Sequence, residues 1–126
     1  MKKTVVLAFF IFLIVSGLCF GQTPASLKKI ITEDMKIQSD PEYPFQGTWF
    51  FETGRNMFYV QVIEGMRGTT YFYGSRRTGW KRQSVFTIEK KGDIYTIPSP
   101  LGGDVQVFLD GNLLTLFNLT YERYED

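Results

Sequence analysis

The sequence contains no histidine and only one cysteine among its 126 residues. Without histidine, the chain lacks the commonest general base and the commonest transition-metal ligand. One cysteine alone forms neither an internal disulfide nor a thiolate zinc site. The sequence also has no glycine-rich phosphate-binding loop and no nucleophile with a base beside it. We therefore expect a protein that is not an enzyme and that has no catalytic residue, metal site or cofactor.

Long hydrophobic runs are also scarce, and the one clear example lies at the N-terminus. Lys2 and Lys3 precede an apolar run from Thr4 to Leu18, after which a small residue returns at Gly21. A basic start, an apolar centre and a small-residue end are typical of a signal peptide. The apolar run has 15 residues, whereas a membrane-spanning helix needs about 20. We expect residues 1–21 to be a signal peptide and the mature protein to be exported.

The sequence leaves the mode of cleavage open. A cut after Gly21 has small residues at the first and third positions before it, and it would release a periplasmic or secreted protein that begins at Gln22. Alternatively, the run Ser16-Gly17-Leu18-Cys19 is similar to a bacterial lipobox, although Leu18 stands where that motif prefers a small residue. In that case Cys19 would be lipidated and the protein would be a membrane-anchored lipoprotein. An uncleaved anchor is the third alternative.

Neither sign of charge is in excess. Removing Lys2 and Lys3 from the 14 basic residues leaves 12 against 13 acidic residues, so the mature chain has a net charge of −1. Residues 55–91 are nonetheless basic, and residues 92–126 are acidic. The basic part includes a segment that we interpret as a hairpin loop for an anionic partner: Arg76, Arg77, Trp80, Lys81 and Arg82. The alternative is a solvated loop whose tryptophan folds onto the rim of the domain.

Residues 22–45 are predicted to form an arm or linker ahead of the folded domain. Four apolar residues at helical spacing, with Ser26 at the position of an N-cap, predict a helix over residues 27–36. Pro41 lies beyond that helix and prevents its continuation. The alternative is a linker that is ordered only in part.

From residue 46 onward, apolar and polar residues alternate with period two, and turn residues recur at short intervals. We predict eight strands, over residues 46–53, 56–64, 69–75, 83–90, 93–98, 104–110, 112–117 and 119–124. An open meander would expose two sheet edges, and closing the sheet into a barrel removes them. The sequence therefore predicts an all-β fold, a small antiparallel up-and-down β-barrel of about eight strands over residues 46–126.

The first predicted strand carries Gly47-Thr48-Trp49, and the last one carries Arg123. A Gly-x-Trp motif at the start of a strand meander, with an arginine near its end, resembles the calycin group of lipocalins, fatty-acid-binding proteins and avidins. The resemblance implies that Arg123 packs across Trp49 and closes one end of the barrel as a plug. It also implies that Gly47 lets the backbone pass close to that pair.

The resemblance extends to avidins in spacing but not in ligand contacts. The run from Gly47 to Met57 is similar to the first avidin hairpin, and Gly68-Thr69-Thr70-Tyr71 is similar to the turn into the third avidin strand. Phe51 and Arg55 stand where avidins place polar residues that hold biotin, and only Tyr71 of the matched set keeps a hydroxyl. We therefore do not expect biotin binding.

Two functions remain open. One is that of an exported lipocalin-like protein, which binds a small hydrophobic or amphipathic ligand at a barrel mouth lined by aromatic residues: Phe51, Tyr59, Tyr71 and Tyr73. The alternative is a filled-barrel interaction scaffold that displays the arm and the basic loop to a protein partner, an envelope polymer or a protease. Nucleic acid is not expected as a partner, and membrane attachment is expected only through a lipidated Cys19. A carrier needs a cavity of about 300 Å³ or more, whereas a scaffold needs none.

Overall fold

The computed structural model of the protein describes residues 23–99 and 101–126. The predicted signal peptide and Cys19 lie outside the described residues. A short helix, α1 (Ala25–Ile30), and a 3₁₀ helix (Glu33–Met35) precede the strands, and neither is long and apolar enough to cross a bilayer. The strands are β1 (Gly47–Gly54), β2 (Met57–Glu64), β3 (Arg67–Tyr73), β4 (Trp80–Thr87), β5 (Glu89–Lys91), β6 (Ile94–Ile97), β7 (Val105–Asp110), β8 (Leu113–Leu116) and β9 (Leu119–Arg123).

The strands form one antiparallel sheet with the order β4-β3-β2-β1-β9-β8-β7-β6-β5. The two ends of this order, β4 and β5, are separated in the chain only by Ile88, whose backbone N–H donates to the carbonyl oxygen of Met66 at 2.7 Å. β4 pairs with β3, whereas β5 pairs with β6, so a gap in the ring of strands remains between β4 and β5. The chain crosses this gap at Ile88. The predicted all-β, up-and-down barrel is confirmed as a nearly closed ring of nine strands.

The strand predicted over residues 83–90 differs most from the structure. It divides into β4 and β5, and β4 already begins at Trp80. The turn before it is tight, because the Gly79 N–H donates to the Ser75 carbonyl oxygen at 2.9 Å and Gly79 has a φ of +63°, which glycine adopts without strain. The prediction that Trp80, Lys81 and Arg82 belong to a hairpin loop is therefore corrected, since all three lie in β4.

The predicted helix over residues 27–36 is shorter in the structure. α1 ends at Ile30, because Ile31 is extended with a ψ of 137°. A run of three β-branched residues at this point, Ile30-Ile31-Thr32, disfavours helix continuation. The N-cap of α1 is Pro24 and no side chain caps the helix, so the predicted cap by Ser26 does not form.

The arm packs along the outer face of the barrel instead of extending from it. Its buried side chains form one apolar cluster with outward-facing residues of β1 and β2: Leu27, Ile31, Met35, Phe50, Phe58 and Val60. The backbone is attached as well, because the Ile37 N–H donates to Thr48 Oγ1 at 2.9 Å. The arm therefore forms a second layer over this part of the barrel wall.

The inside of the barrel is filled by a second apolar cluster. Its most deeply buried members are no more than 2% exposed: Trp49, Ile63, Ile88, Leu114, Leu116 and Tyr121. A polar chain crosses this core, in which Thr70 Oγ1 donates to Gln61 Oε1 at 2.7 Å and Gln61 Nε2 donates to the Tyr121 hydroxyl at 3.1 Å. Large side chains and a hydrogen-bonded polar chain thus fill the described interior of the barrel.

Candidate functional site

Arg123 covers Trp49, and the two residues face each other across the pairing of β1 with β9. The Arg123 Cζ atom lies 4.1 Å from the centroid of the Trp49 ring, and Arg123 Nη1 donates to the Gln46 carbonyl oxygen at 3.1 Å. A Cβ atom on Gly47 would come within 2.6 Å of Arg123 Nη1, so glycine leaves the space that the guanidinium occupies. Burial lowers the pKa of Arg123, and Glu125 acts in the opposite direction. The structure thus brings Gly47, Trp49 and Arg123 together.

The four aromatic residues predicted at the barrel mouth do not share one face. Phe51 and Tyr59 are directly opposite each other in the β1–β2 pairing, on the same side as the buried Trp49. Tyr71 and Tyr73 lie on the outer side of β3, since they pair with the outward-facing Val60 and Phe58. The proposed ligand-binding set is therefore divided between the two faces of the barrel wall.

A different aromatic group lines the inner face beside the β1–β2 turn. Phe72 is opposite Tyr59 in the β2–β3 pairing, and their ring centroids are 4.8 Å apart. Phe51, Tyr59 and Phe72 are all partly exposed, and we call these three residues the inner aromatic patch. Phe72 was not among the predicted ligand-binding residues, although its parity with Thr70 and Gly68 along β3 is a signal that places it on the inner face.

The predicted anionic-partner segment is also rearranged. Arg76 and Arg77 are exposed in the turn before β4, whereas Lys81 and Arg82 are exposed within β4 on opposite faces of the strand. Within the described residues, none of these four cations lies in a salt bridge. We call Arg77, Lys81 and Arg82 the basic edge.

Trp80 does not extend toward solvent with these cations. Its indole Nε1–H donates to the Ile30 carbonyl oxygen at 2.8 Å, and its ring packs against Tyr73 with centroids 5.1 Å apart. Trp80 therefore joins β4 to the end of α1, as a tryptophan that satisfies its single donor while burying its ring.

One edge of β4 has no strand beside it in the described part of the chain, because β4 ends the sheet order and pairs only with β3. All side chains from residue 81 to residue 85 are exposed, and Val85 retains 45% of its surface. An open edge presents backbone donors and acceptors to any extended chain that meets it. This edge of β4 therefore combines unpaired backbone groups with exposed cations on the same strand.

In residues 23–99 and 101–126, the structure has no group of three histidine, cysteine or acidic side chains arranged to hold a metal ion. Comparison of this chain with protein-family models, with curated proteins and with solved structures found no match.

Proposed function

We propose that this protein is an exported, non-catalytic interaction module of the calycin type, which binds an acidic, extended segment of a protein partner along the open edge of β4. The observation that carries the proposal is this edge itself, which is unpaired in the described chain and exposed on both faces from residue 81 to residue 85. Addition of an extended peptide to a sheet edge is a recurring mode of recognition, in which main-chain hydrogen bonds supply the affinity.

Charge supports an acidic partner. The basic edge contributes three cations to one strand and its preceding turn, and no acidic residue occurs from residue 65 to residue 88. Complementary charges accelerate encounter and select among partners more than they add affinity. Acidic side chains of the partner would therefore give selectivity, and its backbone would give the stabilising contacts.

The filled barrel supports an interaction module over an enclosed carrier. Trp49, Tyr121 and Leu114 occupy the interior and are at most 2% exposed. The contact between Arg123 and Trp49 is the arrangement that the calycin resemblance implies, and it supports that part of the proposal. The signal-like N-terminal sequence supports export.

A second candidate function is the binding of a small amphipathic ligand against the inner aromatic patch. The partial exposure of Phe51, Tyr59 and Phe72 favours it. Lys81 is paired with Phe72 across β3 and β4 and lies on the same face, so a ligand there would meet aromatic rings and one cation.

The edge proposal is tested with a synthetic peptide that alternates glutamate and valine, and with the same peptide methylated at its backbone nitrogens. We expect the first peptide to bind and to slow amide hydrogen exchange along β4. The second keeps the charges and loses its backbone donors, so we expect it to bind at least about tenfold more weakly.

Two matched triple variants distinguish binding at the basic edge from non-specific electrostatic attraction of the acidic peptide. The variant Arg77→Gln/Lys81→Gln/Arg82→Gln should reduce the affinity for the glutamate–valine peptide about tenfold. The variant Lys28→Gln/Arg67→Gln/Lys90→Gln changes the net charge equally at other exposed positions, and it should leave that affinity unchanged. Equal binding of both peptides, or equal loss in both variants, would indicate a surface for anionic polymers and would overturn the proposal.

A further inference from the structure

Three segments that are distant in the sequence meet around one surface cleft. They are α1, the turn between β1 and β2, and the turn between β3 and β4, and the cleft between them has a volume of about 490 Å³. Its lining includes Lys29 and Ile30 of α1, Arg55 and Asn56 of the first turn, and Tyr73 and Arg76 beside the second turn. We call it the basic cleft.

Its charge is of one sign. Lys29, Arg55 and Arg76 each come from a different segment, and no acidic side chain is among the described residues that line the cleft. Within the described residues none of the three is in a salt bridge. A bound anion would be attracted to all three cations, with no carboxylate among the described lining residues to compete for them.

A larger cleft on the same protein shows the contrast. It has a volume of about 590 Å³ and lies between the arm and the C-terminal residues. Its lysine, Lys36, is already paired with Glu33 at 3.0 Å and with Asp126 at 3.2 Å. The lysine of that cleft is paired with carboxylates of the protein, whereas the three cations of the basic cleft are in no salt bridge within the described residues.

The basic cleft also has an apolar side and uncharged donors. Ile30 and Tyr73 both line the wall, and since Ile30 is partly exposed whereas Tyr73 is only 7% exposed, the apolar surface comes mainly from Ile30. Ser26 and Asn56 add a hydroxyl and an amide. The volume of the cleft lies within the range of about 300 to 1,000 Å³ that is typical of small-molecule sites, and it exceeds the space that a lone inorganic anion fills.

Docking of the arm builds this cleft. The Trp80 N–H bond to the Ile30 carbonyl oxygen and the complete burial of Leu27 fix α1 against the barrel. Lys29 lies between Leu27 and Ile30 in α1, so the contacts of those two residues place it in the same cleft as Arg55 and Arg76.

We infer that the basic cleft binds a small organic anion, in which a phosphate or carboxylate group meets Lys29, Arg55 and Arg76 while an apolar group packs against Tyr73 and Ile30. This site is separate from the peptide-binding edge of β4 and does not depend on it. Because the apolar part contributes, we expect an organic anion to bind more tightly than inorganic phosphate.

The test uses three probes: inorganic phosphate, phenyl phosphate and benzoate. Titration calorimetry and amide chemical shifts should show saturable binding of phenyl phosphate or benzoate, at least about tenfold tighter than that of inorganic phosphate. The tighter of the two organic probes identifies the preferred anionic group. The largest shift changes should occur at Ser26, Asn56 and Tyr73. Absence of saturation, or equal affinity for inorganic phosphate, would overturn the inference.

Two triple variants with the same change of net charge complete the test. Lys29→Gln/Arg55→Gln/Arg76→Gln should reduce the affinity for the organic probe at least about tenfold, whereas Arg77→Gln/Lys81→Gln/Arg82→Gln should leave it unchanged. The single variant Arg55→Gln, in an exposed turn, serves if the first triple variant is unstable, and it should weaken binding severalfold. Equal losses in both triple variants would contradict a defined site, and they would leave the peptide result at the β4 edge unaffected.

Discussion

Arg123 shows how much of the barrel depends on the shape of one side chain. Its guanidinium stacks over Trp49 and also donates to the Gln46 carbonyl oxygen, so a single planar group serves two different contacts. Lysine carries the same charge on a tetrahedral ammonium, which cannot stack flat on a ring and donate sideways in the same pose. Shape, more than charge, makes arginine the residue that fits this position.

We predict that Arg123→Lys lowers the free energy of unfolding by about 1 kcal/mol, because the stacked cation–π contact weakens and the bond to Gln46 is lost. Urea denaturation followed by tryptophan fluorescence measures the change. The control is Arg67→Lys, at an exposed position outside the plug, which should stay within about 0.5 kcal/mol of the original protein. Equal stability of the two variants would show that the stacking contributes nothing.

Gly68 illustrates what the sequence could not indicate at the scale of one residue. It was predicted to lie in a turn, because glycine commonly punctuates strands. In the structure it lies within β3, and a Cβ atom there would come within 2.2 Å of the Phe86 ring. The reason for this glycine is a side chain that is distant in the sequence, and no local pattern contains that information.

At the scale of elements, the arm explains why β2 is apolar on both faces. Phe58 and Val60 face outward and are fully buried, because α1 and the 3₁₀ helix lie over them, while Ile63 faces the barrel interior. Period-two alternation along the strand predicted over residues 56–64 places Phe58, Val60 and Val62 on one face. The sequence did not show which segment covers that face, because the alternation tells on which side of a strand a residue lies but not what packs against it.

We predict that Trp80→Phe loosens the arm without unfolding the barrel. Phenylalanine keeps an aromatic ring against Tyr73 but loses the N–H bond to the Ile30 carbonyl oxygen, which we expect to cost about 1 kcal/mol. Hydrogen exchange should accelerate about fivefold at the Ile31 amide, which bonds to Leu27 in α1. Amides in the β2–β3 pairing should keep their rates.

The control for this prediction is Val85→Ala, an exposed position in the same strand. It should leave the Ile31 amide unchanged. If both variants accelerate that amide equally, the indole bond is not what holds the arm, and burial of Leu27 alone would account for its docking.

At the scale of the whole molecule, two tyrosines near the C-terminus couple stability to alkaline pH. Burial raises the pKa of Tyr121, and the hydrogen bond from Gln61 partly offsets this increase. Burial and a hydrogen bond to Asp126 raise the pKa of Tyr124 to about 12. Both groups ionise more readily in the unfolded chain. Their contribution to the free energy of unfolding is therefore complete below the usual tyrosine pKa of about 10, and it is lost as the pH rises through their pKa values in the folded protein.

We therefore predict a melting temperature that is constant between about pH 7 and pH 9 and falls between about pH 10 and pH 12. Calorimetry at each pH measures it, and ultraviolet absorbance of tyrosinate follows the ionisation. Tyr124→Phe should make the alkaline fall shallower. A melting temperature that falls as steeply in this variant would assign the alkaline loss to other groups.

The general architecture could be predicted from the sequence, because period-two alternation and turn residues are local signals. Most predicted strand ends lie within two residues of those in the structure. The division at Ile88 was not predictable, since it depends on a hydrogen bond to Met66 across the sheet. The basic cleft was not predictable for the same reason, because α1 supplies one of its three cations only after the arm has docked.

The joint between β1 and β9 has a consequence for the chain entropy of folding. Every other strand pairing joins segments that are close along the chain, whereas this one pairs Trp49 with Arg123 and Phe50 with Glu122. The Tyr124 N–H adds one more bond, to the Thr48 carbonyl oxygen at 2.7 Å. Closing a loop costs more entropy as the loop lengthens. The entropy cost of bringing distant parts of the chain together is therefore concentrated in the short pairing of β1 with β9. The rest of the barrel assembles from hairpins, whose short loops close at a small entropy cost.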